Sequence, residues 1–144
     1  KNILYKKISK RFNGKIKGKN IAIWGLSFKP DTDDMREAPS IELINKLILK
    51  GANVTAYDPA AMHEAKRIFK NMPVKYKNSK DSCLKNADAL VIVTEWKEFK
   101  IIDTKNILNL MKSPIIFDGR NIVDQEKIAK STVEYYPIGK PGIV

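Results

Sequence analysis

Residues 20–39 read NIAIWGLSFKPDTDDMREAP, a short apolar run followed by a loop with three aspartates, a lysine, an arginine and two prolines. The first part, NIAIWGL (20–26), reads as a buried strand. The loop exceeds the about 2 to 6 residues that usually join a strand to a helix. A loop of this length and charge is either solvated or built around a ligand. The helix after it declares itself, because SIELINKLILKG places Ile41, Ile44, Leu47 and Ile48 on one face. Ser40 stands where an N-cap is expected, with Pro39 before it, and Gly51 where a left-handed residue ends the helix.

Working outward, the same alternation continues. NVTAYDP, PVKY, DALVIVT, PIIFDG and TVEYYPIG read as strands, and AMHEAKRIFK, SKDSCLKNA, TKNILNLMK and QEKIAK as the helices between them. Six strands separated by helices predict an α/β fold, a Rossmann-like doubly wound, mostly parallel six-stranded sheet with helices on both faces. Right-handed crossovers give the expected order 3-2-1-4-5-6. Residues 1–13 fall outside this alternation. Leu4, Ile8 and Phe12 form an apolar stripe at four-residue spacing. The segment is expected to be the tail of a helix from an upstream domain, leaving 14–144 as the domain proper. The chain begins at Lys1 without a methionine, as a piece of a longer protein would.

Composition narrows the classes. At 144 residues and 43% hydrophobic content, one globular domain with a real core is expected. No apolar run approaches the ~20 residues of a membrane span and no signal-peptide pattern opens the chain, so a soluble, cytoplasmic protein is expected. The single Cys83 excludes an internal disulfide, and with only His63 beside it there is no Cys/His metal cluster to build. A net charge of +11 raises nucleic acid as a partner. The lysines, however, are spread along the whole chain among acids and apolar residues, without a block of five or six like charges. The expectation is a lysine-rich solvated surface and no nucleic-acid partner.

In open α/β sheets ligands bind at the carboxyl ends of the strands, at the switch point of the strand order. The loops there are 25–39, TEWKEFK (94–100) and DGRN (118–121), which carry Lys29, Arg36 and Arg120. These cations suit phosphate or carboxylate groups. A dinucleotide fingerprint needs further glycines after Gly25 and has none, although Asp58 ends the second strand where a ribose-binding acid would sit. GKIKGK is one residue short of a P-loop and lacks the following Ser or Thr. Each residue also has a plainer reading: Asp33, Asp34, Arg36 and Glu37 as surface ion pairs, Phe28 as a core plug, and Arg120 paired with Asp118. Trp96 and Phe99 are read as a cover for the sheet end, His63 and Cys83 as structural. No catalytic triad or Cys/His pair can be assembled.

GLSFKPDTDDMREAPS, AYDPAAM, ADALVIVTEWKEF and FDGRNI, in this order and spacing, closely resemble the C-terminal UDP-binding domain of the UDP-glucose/GDP-mannose dehydrogenase family. The resemblance covers roughly residues 14–139. Relatives acting on GDP-mannose or UDP-N-acetyl sugars share the first motif, and the last two segments look most like the UDP-glucose enzymes.

The resemblance implies an NAD-dependent oxidation of the sugar C6 alcohol to a carboxylate in two steps, through a cysteine-bound intermediate. It further implies an upstream NAD-binding domain, a long connecting helix that typically dimerises, and UDP-glucose as the partner of this domain. Carried over by position, Phe28 and Lys29 match contacts to the UDP-sugar, and Arg120 matches a substrate-binding arginine. Arg36 matches an arginine that reaches across to the cofactor, with Asp33, Asp34 and Glu37 expected to orient it. The catalytic cysteine, its accompanying lysine and the NAD glycine motif have no counterpart here, and Cys83 is not that nucleophile. No catalytic residue and no metal are expected in this chain, and it is expected to be inactive alone. The competing class is a non-enzymatic module, either a basic nucleic-acid binder or a nucleotide sensor.

Overall fold

The computed structural model describes residues 3–144. Six strands form one parallel sheet in the order β3-β2-β1-β4-β5-β6. They are β1 (Asn20–Trp24), β2 (Asn53–Tyr57), β3 (Val74–Tyr76), β4 (Ala89–Ile92), β5 (Ile115–Asp118) and β6 (Glu134–Pro137). The helices are α1 (Ile3–Arg11), α2 (Pro39–Leu49), α3 (Met62–Ile68), α4 (Lys80–Leu84), α5 (Thr104–Leu110) and α6 (Gln125–Ala129), with a 3-10 turn at Lys97–Lys100. The expected sheet order is the observed one, and the switch point falls between β1 and β4.

Alternation along each strand divides the core into two layers. Ile21, Ile23, Val54, Ala56, Val91 and Phe117 face the layer of α1, α2 and α3, which contributes Ile8, Leu43, Ile44, Leu47 and Ala65. Ala22, Trp24, Leu90, Ile92 and Ile116 face α4, α5 and α6, which contribute Cys83, Leu84, Ile107, Met111 and Ile128. All four residues of β4 are buried, as a central strand covered on both faces requires. The apolar stripe of α1 packs on this domain: Ile8 is fully buried, and Arg11 holds Glu134 of β6 through Nε at 2.7 Å. No helix among the described residues is long and apolar enough to cross a membrane.

Two details depart from expectation. Helix α2 starts at Pro39 with Ala38 at the N-cap and no side-chain cap, while the Ser40 hydroxyl donates to the Leu26 carbonyl at 2.7 Å. Pro39 already supplies the φ for a first helical turn and lacks an N–H to cap, so the serine is free to tie the helix to the exit of β1. Strand β1 also stops earlier than expected, because Gly25 turns at φ +102. A Cβ at Gly25 would lie 2.6 Å from Thr94, so only glycine lets the exits of β1 and β4 meet. Gly51 is left-handed at φ +89, as the stop of α2 demands.

Candidate functional site

Two buried aspartates at strand ends shape the loops at the carboxyl edge. Asp58, after β2, is fully buried. Its Oδ2 accepts from the amides of Leu26 at 2.7 Å and Ser27 at 3.0 Å, and from Trp96 Nε1 at 3.2 Å. Its Oδ1 accepts from the amides of Ala60 and Ala61, both at 2.8 Å. The ribose-binding placement considered for Asp58 is therefore corrected. Both carboxylate oxygens are occupied within the fold, because Gly25 swings the β1 exit across them and Trp96 closes the remaining side. The Thr94 hydroxyl completes the clasp by donating to the Ser27 carbonyl at 2.7 Å.

Asp118, ending β5, does the same for the neighbouring loop. Its Oδ2 accepts from Ile122 N at 2.8 Å, Val123 N at 3.0 Å and the Tyr135 hydroxyl at 2.8 Å. Burial, then the hydrogen bond to Asp118 and its charge, pushes the Tyr135 hydroxyl pKa up, so it stays a donor. Oδ1 takes the amide of Arg120 at 3.0 Å. Thus the main chain of Arg120 pairs with Asp118, while its guanidinium turns to Glu95, with Nε at 3.2 Å and Nη2 at 3.0 Å from Oε1. Burial raises the Glu95 carboxyl pKa, but its own backbone amide and Arg120 outweigh this and leave it below the usual range. Gly119 packs beneath, where a Cβ would lie 2.7 Å from Leu4 of α1 and 2.9 Å from the Ile92 carbonyl.

The other candidate residues project outward. Phe28 is 47% exposed and lines an open groove with Pro39, Ile41 and Glu42, so it is not a core plug. Lys29 is exposed and forms no ion pair among the described residues. Arg36, with its side chain 90% exposed, binds Asp34 in a two-point pair, Nη2 to Oδ2 at 2.8 Å and Nε to Oδ1 at 3.1 Å. The Arg36 guanidinium and amide hold the Asp34 carboxyl down to about 2. Neither Asp33 nor Glu37 pairs with Arg36, so of the three expected orienting acids only Asp34 does so.

Phe99 is fully buried and stacks on Trp24 at 5.2 Å, covering the sheet end as expected. Trp96 is half-buried and serves the Asp58 clasp. Cys83 lies in the core, where burial pushes its thiol up to about 12, which removes it as a nucleophile. His63 is exposed on α3. No cluster of three or more metal-ligating side chains occurs among the described residues. Sequence reasoning missed Glu95 and Thr94. The available signal was the strand-ending Asp before a turn residue in YDP and FDG, a pattern in which the carboxylate often receives the amides that follow.

A parallel sheet with cationic side chains over the switch point, and no glycine-rich amide cradle, defines an α/β domain of nucleotide-binding type. Residues 22–125 match the UDP-glucose/GDP-mannose dehydrogenase family, UDP binding domain. This chain belongs to that family. It is 42% identical over 131 residues to the UDP-glucose 6-dehydrogenase YwqF of Bacillus subtilis, covering 91% of this chain and 30% of that protein. A UDP-glucose dehydrogenase structure from Pyrobaculum islandicum superposes with a TM-score of 0.75 at 26% identity, over 92% of this chain and 28% of that one. A UDP-D-ManNAc dehydrogenase structure from Pyrococcus horikoshii superposes with a TM-score of 0.73 at 28% identity, over 94% and 29% respectively. The chain thus spans under a third of the length of these relatives.

Proposed function

We propose that this chain is the nucleotide-sugar-binding part of an NAD-dependent enzyme that oxidises UDP-glucose to UDP-glucuronate in the cytoplasm. The overall change takes the C6 alcohol and one water to a carboxylate, with one hydride passed to NAD+ in each of two steps. That cofactor and the nucleophilic cysteine belong to an upstream domain, reached through a connecting helix whose tail lies within residues 3–13 and which pairs two full-length chains; residues 1 and 2, which the sequence adds to that tail, lie outside the described residues. Residues 14–144 bind and orient. Lys29 and Arg120 neutralise the pyrophosphate, Phe28 packs on the nucleotide sugar, and Arg36, fixed by Asp34, reaches toward the cofactor. With no nucleophile of its own, the chain alone turns nothing over.

The observation that carries this reading is the use made of the loop amides. Leu26 N and Ser27 N, which would otherwise greet a phosphate, are spent on Asp58, so what remains for an anion is side chains: Lys29, without an ion pair among the described residues, and Arg120, which an anion would share with Glu95. They stand on loops held by buried carboxylates, which is the preorganisation a binding site needs. The test is an NMR titration of the isotope-labelled chain with UDP, GDP and a short single-stranded DNA. UDP-selective shifts at Phe28, Lys29 and Arg120 support the reading. Shifts with DNA alone, spread over many lysines and abolished by salt, replace it with a nucleic-acid binder.

A further inference from the structure

On the face of the sheet covered by α4, α5 and α6, one region is left open. Helix α4 is only five residues long and packs on β1 and β2, so it leaves the outer part of β2 and all of β3 uncovered on that side. Strand β2 reflects this in its own residues. Val54 and Ala56 are buried on the opposite face, whereas Asn53 is exposed and Thr55 half-buried toward the open one. The result is a polar groove of about 490 Å³.

Thr55 and Asn53 floor the groove, Lys75 and Lys77 stand along its β3 side, and Ser82 and Lys85 along its α4 side. Its end is closed by a chain of side-chain bonds: Asn53 Nδ2 donates to Asn20 Oδ1 at 3.0 Å, and Asn20 Nδ2 to the Asn86 carbonyl at 3.2 Å. No carboxylate lines it, and none of its three lysines forms an ion pair among the described residues. Lys75, Lys77 and Lys85 thus bring three ammonium groups to the rim of one concavity that also holds the hydroxyls of Thr55 and Ser82. Like charges held around one concavity repel until an anion fills it.

We propose that this groove is a second anion site, which binds a small molecule carrying at least two phosphate-type charges between Lys75, Lys77 and Lys85. It shares no lining residue with Phe28, Lys29, Arg36 and Arg120, so both sites can be filled at once. Lysines act as point charges without the two-point geometry of arginine. The site therefore selects charge density rather than a particular base or sugar, and weakens steeply as salt rises.

The probe is inorganic pyrophosphate, titrated into the labelled 144-residue chain at about 50 and about 200 mM salt. Saturable amide shifts are expected at Asn53, Thr55, Lys75, Lys77 and Lys85, weaker at the higher salt. The triple variant Lys75→Gln, Lys77→Gln, Lys85→Gln should lose at least about tenfold in affinity at these amides. It should leave any response at Phe28, Lys29 and Arg120 unchanged, so that the two sites are read separately. Lys6→Gln, Lys70→Gln, Lys127→Gln removes the same charge from exposed positions elsewhere and should retain groove binding. The proposal is overturned by absent or non-saturating groove shifts, by an equal loss in the second triple variant, or by a single-stranded oligonucleotide binding the groove more tightly than pyrophosphate at the same salt.

Discussion

Asp58→Asn probes the clasp that holds the 25–39 loop. The carboxylate accepts bonds from four backbone amides and the Trp96 indole; Leu26, Ser27 and Ala61 are buried, whereas Ala60 is exposed and Trp96 half-buried. Asparagine keeps the shape but turns one acceptor into a donor. If its nitrogen replaces Oδ1, the amides of Ala60 and Ala61 lose their acceptor; if it replaces Oδ2, Leu26, Ser27 and Trp96 do. In the milder orientation the buried N–H of Ala61 goes unsatisfied at about 1 to 3 kcal/mol, while the amide of the exposed Ala60 can turn to water. The expected loss is therefore roughly 1 to 3 kcal/mol, a sizeable part of the about 5 to 15 kcal/mol that a domain has. Urea unfolding reads it as a lower midpoint at unchanged slope. Trp96→Phe removes one donor and leaves the carboxylate, so its loss should stay below about 1.5 kcal/mol. An Asp58→Asn loss under about 1 kcal/mol, or one equal to that of Trp96→Phe, would refute the reasoning.

If the proposed function holds, Lys29→Ala and Arg120→Ala in the full-length enzyme should each cost about 1.5 to 3 kcal/mol of transition-state binding, roughly ten- to 150-fold in kcat/KM for UDP-glucose; unchanged kinetics in both would return the loops to a surface role. The Arg11–Glu134 pair that ties α1 to β6 should be pH-dependent. The Arg11 hydrogen bond, against an opposing effect of burial, holds the Glu134 carboxyl below its usual range, so its stabilisation is present above pH ~4.3 and is lost as pH falls through the lowered folded value. The stability gap between the natural chain and Glu134→Gln, about 0.5 to 1 kcal/mol at neutral pH for so exposed a pair, should close in acid, and a gap that persists at pH ~2 contradicts this. Cys83, buried and pushed up to about 12, should react with a disulfide reagent only as fast as the domain opens, so complete labelling within minutes in native buffer at pH ~8 would be inconsistent with it.

The fold was legible because its signals are local and repeated. Each strand and helix carries its own period, and right-handed crossovers leave few orders for six parallel strands. The site was legible only as a set of loops. Nothing in YDP distinguishes an Asp58 aimed at a ribose from one aimed inward. The difference lies in Trp96, 38 residues further along, and in the bend at Gly25 that brings Leu26 and Ser27 overhead. The partner of Arg120 was hidden for the same reason, since Glu95 belongs to another strand's loop. The stripe on α1 was visible, but the surface it packs on includes Gly119, whose missing side chain is the space that Leu4 fills.

The two aspartates explain how a Rossmann-like sheet can serve a ligand without a glycine-rich loop. In a dinucleotide domain the first loop leaves its amides free, and a helix N-terminus faces the pyrophosphate. Here Asp58 takes the amides of Leu26 and Ser27, and Pro39 removes an N–H from the first turn of α2. The backbone of this edge therefore has little left to offer an anion. In the proposed function recognition passes to side chains, and side chains need fixed stems to be selective. Asp58 fixes the stem of the loop that bears Phe28 and Lys29, and Asp118 that of Arg120. A backbone cradle recognises a pyrophosphate in any dinucleotide; cations on separate, independently braced loops can be spaced for one nucleotide sugar, which is the role proposed for Lys29 and Arg120.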